Sequence, residues 1–539
     1  MSESSSQQQQ QPPRSYNSVV DLKQTTSPNS INGTNGWIVQ KFGGTSVGKF
    51  AQNIVDDIVK VYSATNRVAV VCSARSSDTK SEGTTSRLLR TAEFAENNQD
   101  YEPILKAIED DHVSNAESIS NESIKQELIK DTVQEIEHVR EILHACLIIG
   151  EISPRSLDSI MSVGEKLSCL FMTALMKDHG LNATYINLDT VIPLNYDFNN
   201  GFDDSFYTFL SQEIGKKIAE VKDEDSIPVL TGYFGIVPGG LLNGVGRGYT
   251  DLCAALAAVG IQADELQIWK EVDGIFTADP RKVPNARLLD SVTPEEAAEL
   301  TYYGSEVIHP FTMEQVIKAK IPIRIKNVEN PTGSGTIIYP DNIGRRGEAT
   351  PPHPPAAFDQ LRGLLHKKRS ATAITAKQDI VVVNIHSNKK TLSHGFLANV
   401  FTTLDKFKLV VDLISTSEVH VSMALSVQTD QELHLKHALS DLRKMGTVDV
   451  TRKMTIVSLV GKQMVNFIGI AGNMFKVLAD EKINIEMISQ GANEINISAV
   501  INEKDTLRAL RSIHAKLLEG AAIEGSSAID SRLENLKLQ

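Results

Sequence analysis

Six consecutive residues, Lys41-Phe42-Gly43-Gly44-Thr45-Ser46, hold the densest potential chemistry in the chain, because they join a cation, two glycines and two hydroxyls at one point. An apolar run (Trp37, Ile38, Val39) stops there and an amphipathic pattern (Phe50, Ile54, Val55, Ile58, Val59, Tyr62) begins, so the segment reads as strand, glycine turn, helix. Paired glycines let the backbone turn tightly and present its N–H groups, while the helix aims its positive dipole end at the same place. That geometry favours phosphate, although glycine loops of this kind also occur where no nucleotide binds. Gly43, Gly48 and Lys49 match a Walker A loop, but Phe50 stands where that loop needs a Mg²⁺-binding hydroxyl. Lys49 therefore reads as part of a solvated helical turn, and Lys41, at the strand end, is the better phosphate ligand.

Further clusters follow. Arg67 to Cys72 is a β-branched run ending at Ser73-Ala74-Arg75, which closes a first βαβ unit with two loop ends on one sheet edge. Gly164-Glu165 precedes an apolar stripe (Leu167, Leu170, Phe171, Leu175), which puts Glu165 at a helix start as a dipole partner or cap. Gly244-Val245-Gly246-Arg247-Gly248-Tyr249-Thr250-Asp251 is a second glycine loop entering a helix, and it brings an arginine and an aspartate. Lys270 to Arg281 is dense in turn residues after a strand; His309-Pro310 reads as structural.

The elements that must position these residues alternate between strand and helix from Trp37 to about Ile338, with strands read at Ala183 to Leu188, Ile227 to Tyr233, Gln267 to Trp269 and Ile321 to Lys326. Such alternation indicates an α/β sandwich. Residues 99–149 form a mostly helical lobe without visible chemistry. Residues 341–370 shift to linker composition, and beyond them Lys408 to Ser422 is echoed by Lys482 to Ser498, about 75 residues on, each within a strand, helix, strand, strand pattern. The division expected is a disordered tail (1–35), a catalytic domain (36–338), a linker (339–370) and two ferredoxin-like βαββαβ modules (371–450 and 451–535), regulatory and dimerising rather than mere scaffold.

Composition narrows the function classes. The 539 residues are 41% hydrophobic and 22% charged, ordinary for a soluble globular protein. A formal charge of −13 argues against nucleic acid or an anionic membrane as partner; no apolar stretch reads as long enough to cross a bilayer, and the N-terminus reads as lacking the apolar core of a secretory signal. Cys72, Cys146, Cys169 and Cys253 lie among apolar residues without metal-ligand spacing, as buried thiols in a reducing compartment do, so the expectation is a cytoplasmic protein with no disulfide and no structural metal.

Taken together, the motifs resemble the aspartate kinase family, among the amino-acid kinases related to carbamate kinase. The resemblance runs from Lys41–Ser46 through Ser73-Ala74, Gly164-Glu165, Gly246–Asp251, Asp273–Arg281 and His309-Pro310 to the two repeats, which look like ACT modules. Phe396-Leu397 and Asp412 to Val419 are its most specific regulatory words. Gly-Tyr-Thr-Asp at 248–251, where many members have Gly-Gly-Ser-Asp, resembles the fungal monofunctional branch, for which no appended dehydrogenase domain is expected. The fold implied is a three-layer α/β/α sandwich followed by two ACT modules.

The resemblance implies transfer of the ATP γ-phosphoryl group, with Mg²⁺, to the side-chain carboxylate of L-aspartate. No general base is needed, since a carboxylate with a pKa of about 3.9 is already ionised at neutral pH. Lys41 and the Gly43-Gly44 amides would draw charge from the phosphoryl group, and Asp251 would organise Lys41 or the metal. Arg247 would take the α-carboxylate and Glu165 the α-ammonium, with Thr45, Ser46, Ser73, Thr79, Tyr233 and Thr250 completing the pocket. Lys270, Glu271, Phe276, Asp279 and Arg281 match the nucleotide loop. Two departures stand out: Glu306 replaces a lysine that many members use on the nucleotide, and Lys270-Glu271 replaces a Thr-Asp pair. The ACT pair implies feedback control, by threonine on the fungal pattern, with Ser393, Gly395, Phe396, Asp412, Thr416, Ser417 and Glu418 as effector ligands, and a homo-oligomer. The alternatives are a glutamate, acetylglutamate or uridylate kinase on the same fold, or a catalytically silent amino-acid sensor.

Overall fold

The computed structural model describes residues 36–76, 82–193, 195–199, 201–223, 225–245, 248–302, 308–340, 371–387, 395–417, 420–428, 431–491 and 495–519. Thr79, Arg247, Glu306, Ser393 and Glu418 lie outside the described residues, as do 1–35 and 341–370.

Eight strands build the first sheet: β1 (Trp37–Phe42), β2 (Arg67–Cys72), β3 (Ala183–Ile186), β4 (Ile227–Thr231), β5 (Glu265–Lys270), β6 (Ser291–Val292), β7 (Ile323–Asn327) and β8 (Thr336–Ile338). Their spatial order is β3-β4-β2-β1-β5-β7-β8-β6, parallel except where β7 meets β8. The chain therefore leaves β1 toward β2 on one side and later returns to β5 on the other. That makes the carboxyl end of β1 a topological switch point, where open α/β sheets bind ligands.

Both faces of the sheet are covered, as the apolar strands require. Val39, Ala69, Val71, Leu266 and Ile268 share one core with the helices Asp204–Ala219 and Tyr249–Gly260. Phe42, Val68, Val70, Cys72 and Trp269 pack on the opposite face against Ile54, Val55, Ile58 and the helix Pro154–Asp178. The lobe expected over 99–149 is helical, Glu102–Asn115 and Glu122–Ile149, and packs on Thr84–Glu96 and Pro154–Asp178. Pro154–Asp178 is long and apolar enough to cross a bilayer, which the composition reading overlooked, but 89% of its most apolar window is buried inside the fold.

The second sheet is antiparallel. It contains β9 (Ala373–Ser387), β10 (Val411–Thr416), β11 (His420–Ser426), β12 (Gly446–Val460), β13 (Ile485–Gln490) and β14 (Asn496–Asn502), in the order β10-β11-β9-β12-β14-β13. Its spine is the pair β9 and β12, each 15 residues long. Ala373–Lys377 faces Ile456–Val460, and Ile380–Ser387 faces Gly446–Met454. Between these stretches the register shifts around Met454, and Asp379 and Lys453 both take a left-handed φ of 58°. The bulge divides the ribbon between two βαββαβ units. The far half of β9, the helices Phe396–Lys406 and Glu432–Leu442, β10, β11 and the near half of β12 make one unit. The remainder of β12, the helices Ile470–Asp480 and Thr506–Ile513, β13 and β14 make the other, and the first residues of β9 complete it. Ile380, Leu413, Ala424, Ile456, Met487 and Val500, one from each strand, join in a shared core.

The two halves meet through the second unit. The Ile374 N–H donates to the Thr277 carbonyl (2.8 Å), and Thr277 Oγ1 lies 2.8 Å from His514 Nε2. Nearby, Glu296 accepts from Thr372 Oγ1 (2.7 Å) and from the Lys462 N–H (2.8 Å). Ala278 and Val283 of the 273–288 loop belong to the regulatory unit's core.

Candidate functional site

Lys41 is the next-to-last residue of β1, on the face that meets Tyr249–Gly260, and its Nζ lies 2.8 Å from Asp251 Oδ1 in the first turn of that helix. Both side chains are mostly buried, at 11% and 14% exposure, so little water screens the pair. Asp251 can sit there because Gly248 caps the helix with φ 107°, a conformation other residues rarely adopt, and its carbonyl accepts the Asp251 N–H (2.9 Å). The helix itself lies close to the sheet because its inner face is small, Cys253, Ala254, Ala255 and Ala257 all being fully buried.

After β1 the helix Gly44–Lys49 begins at once, capped by Gly43, so the first-turn N–H groups of Gly44, Thr45 and Ser46 lack intrahelical acceptors. This is six residues earlier than the apolar pattern suggested, and the helix breaks at Phe50, where that pattern begins, and resumes at Ala51. Gly44 is required by close approach: a Cβ there would lie 2.0 Å from the Ala74 carbonyl oxygen. Lys49 is exposed, as expected. Ser46 is buried and its hydroxyl donates to Glu271 Oε1 (2.6 Å), which ties the glycine turn to the end of β5.

Glu165 corrects the sequence reading. The helix starts at Pro154, capped by Ser153 Oγ (3.1 Å from the Ser156 N–H), so Glu165 lies in mid-helix, where it cannot serve as a cap. Gly164 is tolerated in that interior because a Cβ would come within 2.8 Å of Ala74 Cβ. Glu165 is fully buried; Tyr249 Oη donates to its Oε1 (2.6 Å), and Oε2 has no hydrogen-bond partner among the described residues. Burial pushes the carboxyl up to about 7, against the lowering by the Tyr249 hydroxyl, backbone amides and Lys41. Ser73, at the end of β2, receives the Thr250 hydroxyl at 3.4 Å. Tyr233 is buried after β4, edge-on to Tyr249 with centroids 6.3 Å apart; burial and Asp158 raise its phenol pKa. Four neighbouring strands, β4, β2, β1 and β5, thus deliver Tyr233, Ser73, Lys41 and Lys270 to one edge.

The 270–281 loop is less uniform. Phe276 lines a cavity of about 190 Å³ with Asp273, Leu288, Asn327, Asn330, Gly333 and Gly335, and Asp273 accepts from both asparagines (3.1 and 3.2 Å). Asp279 and Arg281 instead pair with each other (3.0 Å), Arg281 being 88% exposed. His309 caps the helix Pro310–Lys318 through Nδ1, which accepts the Phe311 N–H (3.3 Å), a structural role.

Among the effector candidates, Gly395 (φ 81°) caps the helix that Phe396 opens. Ser417 Oγ accepts the His420 N–H at 3.2 Å, and Thr416 ends β10. Asp412 is engaged: Lys377 Nζ lies 2.6 Å from its Oδ1, its side chain is 2% exposed, and Lys377 also lies 5.9 Å from the Tyr302 ring centroid. Lys377 therefore already occupies Oδ1, and an effector ammonium at Asp412 would have to share the carboxylate through Oδ2, which has no hydrogen-bond partner among the described residues, or displace Lys377. Sequence reasoning did not single out Lys377, which no motif marks, or Tyr249, which stands inside a quoted motif without a role.

Residues 36–327 match the amino acid kinase family and 457–517 an ACT domain. The chain is 84% identical to the aspartokinase of Candida albicans over 98% of both chains, and 62% identical to that of Saccharomyces cerevisiae over 93% of this chain and 97% of the relative. Its structure resembles that of Escherichia coli aspartokinase III in complex with aspartate and ADP, with a TM-score of 0.67, 26% identity and coverage of 89% and 99% of the two chains. With a Lys41–Asp251 pair at the switch point of an amino-acid kinase sheet and a two-unit ACT half beyond it, the chain belongs to the fungal aspartokinases.

Proposed function

We propose that the protein transfers the γ-phosphoryl group of ATP to the side-chain carboxylate of L-aspartate, giving 4-phospho-L-aspartate. The observation that carries this reading is the placement, at one sheet edge, of a mostly buried cation, Lys41, and a buried carboxylate, Glu165, that still has one oxygen without a partner among the described residues. The first suits a phosphoryl group and the second suits an ammonium, so the site is polarised along one direction as an amino-acid kinase needs. The aspartate side-chain carboxylate attacks phosphorus, the bond to the β-bridging oxygen breaks, and ADP leaves with that electron pair.

In this reading Lys41 withdraws charge from the phosphoryl oxygens, and Asp251 holds its Nζ in place between turnovers. The first-turn amides at 44–46 face the same charge, and Ser46, held by Glu271, fixes the turn. Arg247 is assigned to the α-carboxylate, with Thr45, Ser73, Thr79, Tyr233 and Thr250 around the substrate. Phe276 and its cavity are assigned to the nucleotide, with Lys270, Asp279 and Arg281 toward ribose and phosphates. Mg²⁺ would neutralise charge as part of the nucleotide complex; phosphate-borne Mg²⁺ needs only one or two protein carboxylates, and Asp251 is suitably sited. Feedback inhibition by threonine at the ACT units, control of the step that leads to threonine, methionine and isoleucine, assembly as a homo-oligomer and a cytoplasmic location complete the proposal.

The test is acyl-phosphate formation trapped with hydroxylamine, from ATP-Mg²⁺ and L-aspartate, L-glutamate or N-acetylglutamate, each with and without threonine. Aspartate-dependent product suppressed by threonine is the expected result. Turnover of another acid, or none by folded protein that still binds an amino acid, overturns it.

A further inference from the structure

Glu165 presents an unusual local balance. It is fully buried in mid-helix, one oxygen is held by Tyr249 at 2.6 Å, and the other has no partner among the described residues. A buried carboxylate oxygen left unpaired is costly, and the cost disappears only when a donor arrives. Tyr249 is itself fixed: it is the first residue of its helix, placed by Gly248 at φ 107°, the residue is 8% exposed, and Tyr233 meets it edge-on at 84°. Its hydroxyl therefore has little freedom to leave Glu165.

We infer that Tyr249 is a positioning residue for substrate, its hydroxyl locking Glu165 so that a single carboxylate oxygen is turned toward the α-ammonium of the amino acid. The inference rests on the proposed pairing of Glu165 with that ammonium and deepens it. Two consequences follow from the geometry. One oxygen is withdrawn from competition, so the cation has one place to bind rather than two. The donated hydrogen bond also favours the ionised carboxylate, the form that attracts the ammonium, against the burial that disfavours it. The titratable and charged groups around Glu165 are Lys41 on β1, Tyr249 and Cys253 on the facing helix, Tyr233 after β4, and Asp158 and Cys169 on its own helix. Of these, only Tyr249 donates to it through a side-chain hydrogen bond in the described structure.

Removing the hydroxyl should therefore act on binding and on protonation, which a packing role would not do. With Glu165 titrating at about 7, aspartate binding at pH 7 should release about half a proton, as the ammonium selects the ionised form. In Tyr249→Phe the carboxyl titrates higher, so proton release should move toward one, and the KM for aspartate should rise roughly tenfold while kcat changes less than about threefold. Raising the pH should recover the lost affinity. The measurements are the KM and kcat for aspartate from pH 6 to 9, and calorimetric titration with aspartate in two buffers of different ionisation enthalpy. Glu165→Gln and the double variant Glu165→Gln/Tyr249→Phe complete the set. If E165Q raises KM and abolishes proton release but Y249F matches the parent in both, the inference is wrong while the ammonium pairing stands. If E165Q leaves KM and proton release unchanged, the pairing itself is wrong. Should Y249F fold poorly, the double variant decides: with Glu165 already neutral, the added loss of the hydroxyl should leave the KM of E165Q unchanged, and a further rise would overturn the inference.

Discussion

The backbone N–H of Ile374 donates to the carbonyl of Thr277 at 2.8 Å, so the first strand of the regulatory sheet starts on the loop assigned to the nucleotide. The Thr277 hydroxyl doubles the link, standing 2.8 Å from His514 and accepting the Arg287 N–H at 2.9 Å. A displacement of the second ACT unit therefore has a direct mechanical connection to the 273–288 loop.

Thr277→Val keeps the shape and removes the hydroxyl. It should raise the KM for ATP about three- to tenfold, leave the KM for aspartate within about twofold, and weaken the response to threonine. Steady-state kinetics with each substrate varied in turn, with and without threonine, would check this. A change confined to aspartate would refute the assignment of this loop to the nucleotide.

Lys41→Met should lower kcat by a factor on the order of 10³, as loss of a group acting on transition-state charge does. Lys41→Arg should recover little, because the guanidinium cannot reproduce a point charge 2.8 Å from Asp251. Single-turnover assays at saturating ATP and aspartate separate this from weakened binding. Near-normal turnover in K41M would remove Lys41 from the mechanism.

Lys377→Met leaves the Asp412 carboxylate buried without its cation. Allowing for the 27% exposure of Lys377, the loss of stability should be about 2 kcal/mol or more, and Asp412→Asn in the same chain should restore part of it. Denaturation of the four chains forms the cycle. Additive effects would mean that the two side chains do not interact.

His112 is buried with Nε2 3.0 Å from Thr84 Oγ1; burial, together with Arg75, lowers its pKa to about 4 from an ordinary 6.5. A depressed histidine lets the unfolded chain take up its proton first. Its contribution is therefore intact above about pH 6.5 and is lost as pH falls toward 4, by on the order of 3 kcal/mol. Both tryptophans, Trp37 and Trp269, lie in the kinase half, so fluorescence-detected denaturation from pH 7.5 to 4.5 reports on it. His112→Gln should flatten this dependence, and an unchanged slope would assign it elsewhere.

The comparison of sequence with structure divides along physical lines. Lys41, Gly44 and Asp251 were legible because strand ends and glycine turns leave local marks: a β-branched run that stops, then residues only a tight turn needs. Glu165 was legible as a residue but not in its setting, since Gly164 mimics a helix boundary and only the distant Ala74 explains a glycine in mid-helix. Tyr249 and Lys377 act through partners 84 and 35 positions away, and no periodicity records such a pairing. The β9–β12 ribbon was hidden for the same reason. The internal repeat marks two copies, but the exchange of strand halves between them depends on one bulge near Asp379 and Lys453.

That exchange makes the regulatory half a single unit of inheritance. The first unit is threaded into the second as a continuous insert, entering at Asp379 and leaving at Lys453, so no single cut separates them. A chain ending near residue 450 would keep the first unit nominally whole, yet it would strip Ala373–Lys377 of its partner strand and expose a raw edge beside the nucleotide loop. Grafting new effector specificity onto this enzyme therefore requires either replacing the whole of 371–519 or splicing at the two left-handed residues, where the chain already turns.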